Sequence, residues 1–535
     1  MLKGIKRFKR TYLVLLAAVV VIIAGCQAVA GVDLNKMLLN SLKVQSAESK
    51  QSVELKLLWD EQALADDEDL SEGGQELISM LSNVKLQINE MKLRDNDHMS
   101  VKGDLSLGSR SFGFGMVVDG ETSLMTLEGA KQPFLLDMSG ASALETLGLG
   151  LTDEDGASPV TEQTITEVGR QLIDHVGGYL VGTMPNPEGL SVDPLAQTTV
   201  NGESMTLAHV SVKLDAEQMW NWVKDYVGKL QNDREGLRKT MVGLVDIVLA
   251  DPSLKQAIEA SEEGGNIRPT DEEIDEIIDE MIDGLASFSD SMKEQEQADD
   301  FAAIVNKNSF AQADLYVDSK LDIRKSSLDL QFKSDRKALA SEDEEELPPI
   351  EGLSLSIKSE MWNINGDVAV DKVGDDQKKS AVELESLENL QGYEVLRMFD
   401  PASDVYSLLD QELHIGRQEV IVGLYSNQPA IITPSGVTLV PLRRVASELG
   451  ASIKLDLDRI KLNDGATGTS ITLKKGSSQA TVNGKTVKWS FPTTTIDNAV
   501  YVPARDLAKA LGASVRWETF DTNEKLWLEI TREVH

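Results

Sequence analysis

One stretch of this chain occurs twice. Residues Val440–Leu455 return 62 positions later as Val502–Trp517, and eight of the sixteen aligned residues are identical, among them Pro441/Pro503, Arg443/Arg505 and Gly450/Gly512. Identity at this level implies an internal duplication. It constrains the fold because each copy must bury the same apolar positions in the same local shape. A strand ends at Val-Pro, and a proline entering the first turn of a helix costs no hydrogen bond. A short helix follows with Val445 and Leu449 in one copy and Leu507 and Leu511 in the other. Gly450 and Gly512 then stop the helices in left-handed geometry, and a strand resumes at Ser452-Ile453 or Ser514-Val515. Between the copies, Asn483-Gly484 marks a two-residue hairpin. Leu526–Ile530 reads as the strand that closes the sheet.

The preceding residues use two other periods. Apolar side chains alternate at Val53, Leu55 and Leu57, at Val84, Leu86 and Ile88, at Val101, Leu105 and Leu107, and at Phe112, Phe114, Met116 and Val118. They do so again at Ala313, Leu315 and Val317, at Leu328, Leu330 and Phe332, and at Leu353, Leu355 and Ile357. Such alternation predicts strands with one buried face, separated by turns at Asp95–Asp97 and Asp119-Gly120. Helical spacing takes over in the middle. Asp215 with Gln218 and Thr270 with Glu273 predict capping boxes. Behind them lie the stripes Met219, Trp220, Trp222, Val223, Tyr226, Val227, Leu230 and Ile274, Ile277, Ile278, Met281, Ile282. Strands, then helices, then strands predict an α+β domain over 51–400, with a large antiparallel sheet and a helical insertion. A small duplicated α/β domain over 410–535 follows it.

The first 25 residues hold five basic and no acidic side chains, and Leu13–Gly25 is an unbroken run of apolar and small residues. These are the parts of a secretory signal. Cys26, the single cysteine, comes next. Ile23-Ala24-Gly25-Cys26 resembles the bacterial lipobox, which implies removal of 1–25 and acylation of Cys26. An uncleaved membrane helix running on to Val32 is the alternative. Both leave the bulk of the chain outside the membrane, beyond a tether at 26–50 that carries a short helical pattern.

The chain has 52 Lys and Arg against 88 Asp and Glu, a net charge of −36. A surface so negative repels phosphate backbones, so nucleic acid is not expected as a partner, and attachment to a membrane must come from the anchor. The acidic runs Asp66–Asp69 and Asp153–Gly156 lack the spacing and closing Glu of a calcium loop, and the acidic run 342–346 before Pro348-Pro349 reads as an exposed loop. His98, His175, His209, His414 and His535 lie far apart with no ligand spacing, so no metal is expected. Nucleophile-elbow, phosphate-loop and zinc-helix motifs are missing from the sequence, and no catalytic residues or cofactor are expected.

The residues from Leu413 to Ile530, above all Leu439–Arg444, Glu448–Ala451 and Leu511–Trp517, resemble the stalk-type domain named after the N-terminal domain of copper amine oxidases. Leu455 stands where that family usually has Trp. The catalytic domain of those enzymes, with its modified tyrosine and three histidines, has no counterpart here. The resemblance implies a structural or interaction module. Pro441, Arg443, Gly450, Pro503, Arg505 and Gly512 are then structural repeat residues, with Arg443 and Arg505 expected in ion pairs capping the neighbouring sheet. The resulting expectation is a non-catalytic protein on the outer face of the membrane of a Gram-positive-type envelope, contacting wall polymer or envelope proteins. A carrier of a hydrophobic ligand, housed in 51–400, is the second expectation.

Overall fold

The computed structural model describes residues 31–60, 78–120, 122–137, 162–261, 268–298, 300–335, 350–424, 426–456, 458–519 and 525–535. The stretch expected as a signal, Cys26 and the acidic runs near 66, 153 and 342 lie outside them. The described residues form two compact units, one within 1–126 and 135–379, the other within 127–134 and 380–535.

The first unit is built on a long antiparallel sheet. Its strands are β1 (Ala47–Trp59), β2 (Asn83–Asp95), β3 (His98–Leu107), β4 (Arg110–Asp119), β5 (Thr122–Leu127), β6 (Phe134–Asp137), β7 (Ser191–Val200), β8 (Glu203–Asp215), β9 (Phe310–Val317), β10 (Ile323–Lys333) and β11 (Ile350–Trp362). They lie in the order β6-β5-β4-β3-β2-β1-β11-β10-β9-β8-β7. The mixed class and the antiparallel sheet are those the alternation predicts. Register sorts the faces. Val84, Leu55, Leu355, Leu330, Ala311 and Leu214 stand side by side across six strands, and so do Leu86, Val53, Ile357, Leu328, Ala313 and Val212.

Helices cover this apolar face unevenly. Ala216–Asn232 starts from the Asp215–Gln218 capping box and lays Met219 and Trp220 on Val212, Leu214, Ala311, Ala313 and Leu330. Asp271–Glu296 starts from the Thr270–Glu273 box and buries Ile274, Ile278 and Met292. Ile277 and Met281 of the expected stripe are exposed instead, because the neighbouring helix, through Leu237, takes only the Ile274–Ile278 edge. Toward β1 and β2 the apolar side chains Val53, Leu55, Val84 and Leu86 are half-buried. The stretch expected as a tether belongs to the fold from Val32 onward. Helix Leu34–Ser41 buries Leu34, Met37 and Leu38 against Val210, Leu315 and Val317. Its spacing of apolar residues is a packed face rather than part of a linker.

The second unit has three small antiparallel sheets around one core. It begins at Ser380, ahead of the 410 read from the sequence, and takes in 127–134 as well. Strand Thr438–Pro441 pairs antiparallel with Ala499–Pro503, with Val440 opposite Val502. These are equivalent residues of the two repeats, so the copies meet about a local twofold axis. Beyond their helices (Leu442–Glu448 and Ala504–Ala510) the copies diverge. Strand Ala451–Asp456 enters a five-stranded meander that continues through Arg459–Asp464, Thr469–Lys474, Gln479–Val482 and Lys485–Lys488. Strand Ser514–Thr519 instead joins a three-stranded sheet. Lys525–Glu533 forms the centre of that sheet, with Arg417–Gly423 on its far side, rather than a closing edge. Leu455 is accordingly 53% exposed, whereas Trp517, its equivalent, packs on the core.

Candidate functional site

The repeat residues fall into two groups. Pro441 and Pro503 are buried and occupy the cap positions just before the helices, one residue earlier than the first turn. Gly450 and Gly512 take the left-handed conformation, with φ of 73° and 69°. Arg443 and Arg505 depart from expectation. Both are exposed, and no ion pair of either exists among the described residues. The next residue along does that work in the first copy, where Arg444 pairs with Glu448 at 2.9 Å and donates to the Ile421 carbonyl.

Arg532, a buried cation of this unit, is a residue that sequence reasoning passed over. Its guanidinium donates to the carbonyls of Leu449 at 2.8 Å and Leu511 at 3.0 Å, and to both oxygens of Asp464. Leu449 and Leu511 are the C-caps of the two repeat helices, whose last carbonyls have no partner within the helix. One cation therefore caps both copies at equivalent atoms, where the helix dipoles favour positive charge. The available signal was parity. Leu528 and Ile530 point inward on a strand of period two, and Arg532 is the next inward position.

In the first unit, the face of the sheet opposite the apolar rows carries a cleft of about 640 Å³. Its floor draws on two polar rows set by register, Lys50-Glu360-Lys325-Tyr316 and Gln87-Ser52-Lys358-Ser327-Asp314, and His209 stands opposite Tyr316 at the end of the first. His209 stacks on Tyr316 with ring centroids 4.5 Å apart, and its Nε2 lies 2.8 Å from Asp314. Lys325 pairs with Glu360 at 2.9 Å and donates to the Thr199 carbonyl, and the Asn201 N–H donates to Glu360. The tip of the β7–β8 hairpin is thus tied to β10 and β11 beside the cleft. Burial pushes the Glu360 carboxyl up, but its bonds from Lys325 and Asn201 outweigh that and hold it below the usual range. The lining is charged, amide and hydroxyl groups, suited to a polar ligand rather than to a lipid tail. Among the described residues no hydroxyl is hydrogen-bonded to His209.

The histidines are less scattered in space than in sequence. His535 meets Asp410 at 2.7 Å and His414 meets Glu533 at 3.4 Å. The ligand atoms of Asp410, Glu533 and His535 lie within 4.8 Å of one another. Ordinary exposed acid–imidazole pairing accounts for this group. His98 bonds Asp95, and His175 lies 3.2 Å from the Thr240 carbonyl.

The second unit also contains a match to a known family. Residues 418–523 match the copper amine oxidase N-terminal domain. The C-terminal unit therefore carries a copper amine oxidase N-terminal-like domain, within the Leu413–Ile530 span read from the repeat. A domain of this type is not itself catalytic, and no catalytic family matches the chain. No curated protein matches it. Among the described residues, no helix is long and apolar enough to cross a membrane.

Proposed function

We propose that this chain is a non-catalytic binding protein of a Gram-positive-type cell envelope. A lipid on Cys26 holds it to the outer face of the membrane, and the copper amine oxidase N-terminal-like domain is its interaction module, contacting wall polymer or another envelope protein. The supporting observation is that this domain is closed on itself. Its buried Arg532 is spent on Leu449, Leu511, Asp464 and Gln418, and one buried apolar cluster joins both repeats. What such a body offers a partner is its outer surface.

Intact-mass measurement of the native protein tests the anchor. The expected mature chain starts at a diacylated Cys26, and Cys26→Ser releases it from the membrane fraction. Retention of residues 1–25, or an unmodified chain free in the medium, refutes the anchor. Sedimentation of residues 27–535 with purified cell wall tests the module, which is refuted if the protein stays wholly soluble.

A second reading, carriage of a hydrophobic molecule by the first unit, is favoured by the half-buried apolar rows of β1, β2 and β11. Organic extraction of the purified protein followed by mass spectrometry tests it, and an extract free of lipid removes it.

A further inference from the structure

The five-stranded meander of the C-terminal unit is two-faced. Ile460, Leu462, Ile471, Leu473 and Ala480 point into the core, so the alternate positions form an outer face. Register lines up Lys454, Lys461, Thr472, Thr481 and Thr486 across all five strands. A second row holds Asp456, Arg459 and Lys474, and Lys488 stands beside Gln479. Lys454, Arg459, Lys461, Lys474 and Lys488 are all exposed. Asp456 is the one carboxylate on that face within these strands. Asp458, in the turn, is paired with Lys474 at 3.2 Å. No ion pair of Lys454, Lys461 or Lys488 exists among the described residues.

Two features make this more than a solvated surface. The first is that Lys454 and Lys461 are directly opposed on adjacent strands, an arrangement that destabilises a sheet. The second is the setting, since the chain as a whole carries a net charge of −36. Forty-seven basic side chains must serve everything after residue 25, and five of them crowd one face of a small sheet. Charges farther off than roughly 8 Å are largely screened at physiological ionic strength, so a ligand lying on this face meets the lysines rather than the acidic remainder. A row crossing five strands at roughly 4.8 Å spacing is about 20 Å long, which suits an extended chain rather than a single small anion. Thr472, Thr481 and Thr486 add hydroxyls along it, donors and acceptors for a polyol.

We infer that the outer face of strands 451–456, 459–464, 469–474, 479–482 and 485–488 binds an extended polyol-phosphate polymer, with Lys454 and Lys461, at the Ala451–Asp456 end of the row, pairing with two of its phosphates. This rests on the reading of the domain as an envelope-binding module and names its ligand chemistry. The probe is poly(glycerol phosphate), titrated into the unacylated chain, residues 27–535, over a range of salt concentrations. Binding is expected to weaken steeply with salt through counterion release. Lys454→Gln with Lys461→Gln should lower affinity about tenfold and reduce the salt slope by about two, one for each phosphate that is no longer neutralised. Both side chains are exposed, so the thermal midpoint should hold or rise as the like-charge pair is removed. A double variant that binds as tightly as the parent overturns the inference. So does an unacylated chain that sediments with cell wall yet ignores poly(glycerol phosphate), a result that leaves the module reading standing. Equal affinity for duplex DNA also overturns it, because the face would then be a general polyanion surface. A chain that binds neither wall nor polymer removes both readings.

Discussion

Arg532 grips Asp464 with two parallel hydrogen bonds, Nη1 to Oδ2 at 2.6 Å and Nη2 to Oδ1 at 3.0 Å. The two side chains are 1% and 0% exposed. A buried pair of this kind contributes little against a well-packed apolar substitute, but removal of one member strands the other charge. Here the cation also closes the ends of both repeat helices, so one side chain ties three pieces of chain together.

Arg532→Met is therefore expected to cost about 3–5 kcal/mol, the usual penalty for breaking a buried pair. Urea denaturation checks this. Hydrogen exchange should show the loss in residues 442–464 and 504–511, while the helices over 216–232 and 271–296 keep their protection.

The same pair sets a pH dependence. Burial pushes the Asp464 carboxyl up, but the hydrogen bonds from Arg532, Thr467 and Ala466 outweigh burial and hold it below its ordinary value. The folded state thus binds this proton less readily than the unfolded state does. The stabilisation is complete above the unfolded pKa of about 3.9 and is lost as pH falls through the lower folded value. Acid titration of the C-terminal unit should show that loss below about pH 4. Asp464→Asn should be less stable at neutral pH and should have a flatter acid limb.

Equivalent glycines of the duplication should respond unequally. Both hold φ near +70°, where an alanine costs about 1–2 kcal/mol of backbone strain. At Gly512 an added methyl meets open space, whereas at Gly450 it lies 2.3 Å from the Gln391 amide. That amide is held by Gln418 at 2.6 Å and cannot swing away freely. Gly450→Ala should lower the melting temperature clearly more than Gly512→Ala. Equal shifts would show that Gln391 yields.

Trp220 anchors the helical layer of the first unit. It is 2% exposed, meets Phe301 edge-on and donates its indole N–H to Glu296 at 2.8 Å. Trp220→Ala should cost about 3–5 kcal/mol, measured by thermal or urea unfolding. Glu296→Gln keeps the packing and should cost far less.

Local signals in the sequence accounted for the elements. Alternation at Val53–Leu57 and Leu353–Ile357, the capping boxes at Asp215 and Thr270, the Asn483-Gly484 turn and the stop glycines all act between residues a few positions apart, and the folded chain obeys them. The same local pattern over Val32–Leu42 was open to two meanings, since a helical stripe is equally a tether or a packed face until its partner is known. Ile277 and Met281 are the reverse case, apolar residues in register with a stripe that no neighbour covers.

The duplication, the α+β class and the match to a known domain were therefore properties of the sequence alone. Tertiary structure decided that Val440 faces Val502, that the two copies feed different sheets, and that Arg532 rather than Arg443 or Arg505 carries the buried charge. It also assembled the polar rows of the cleft and the lysine row of the meander from strands far apart in the chain. Periodicity reports which way a side chain points from its own backbone. Which distant side chain it meets depends on strand order and register, and those are settled only when the whole core packs.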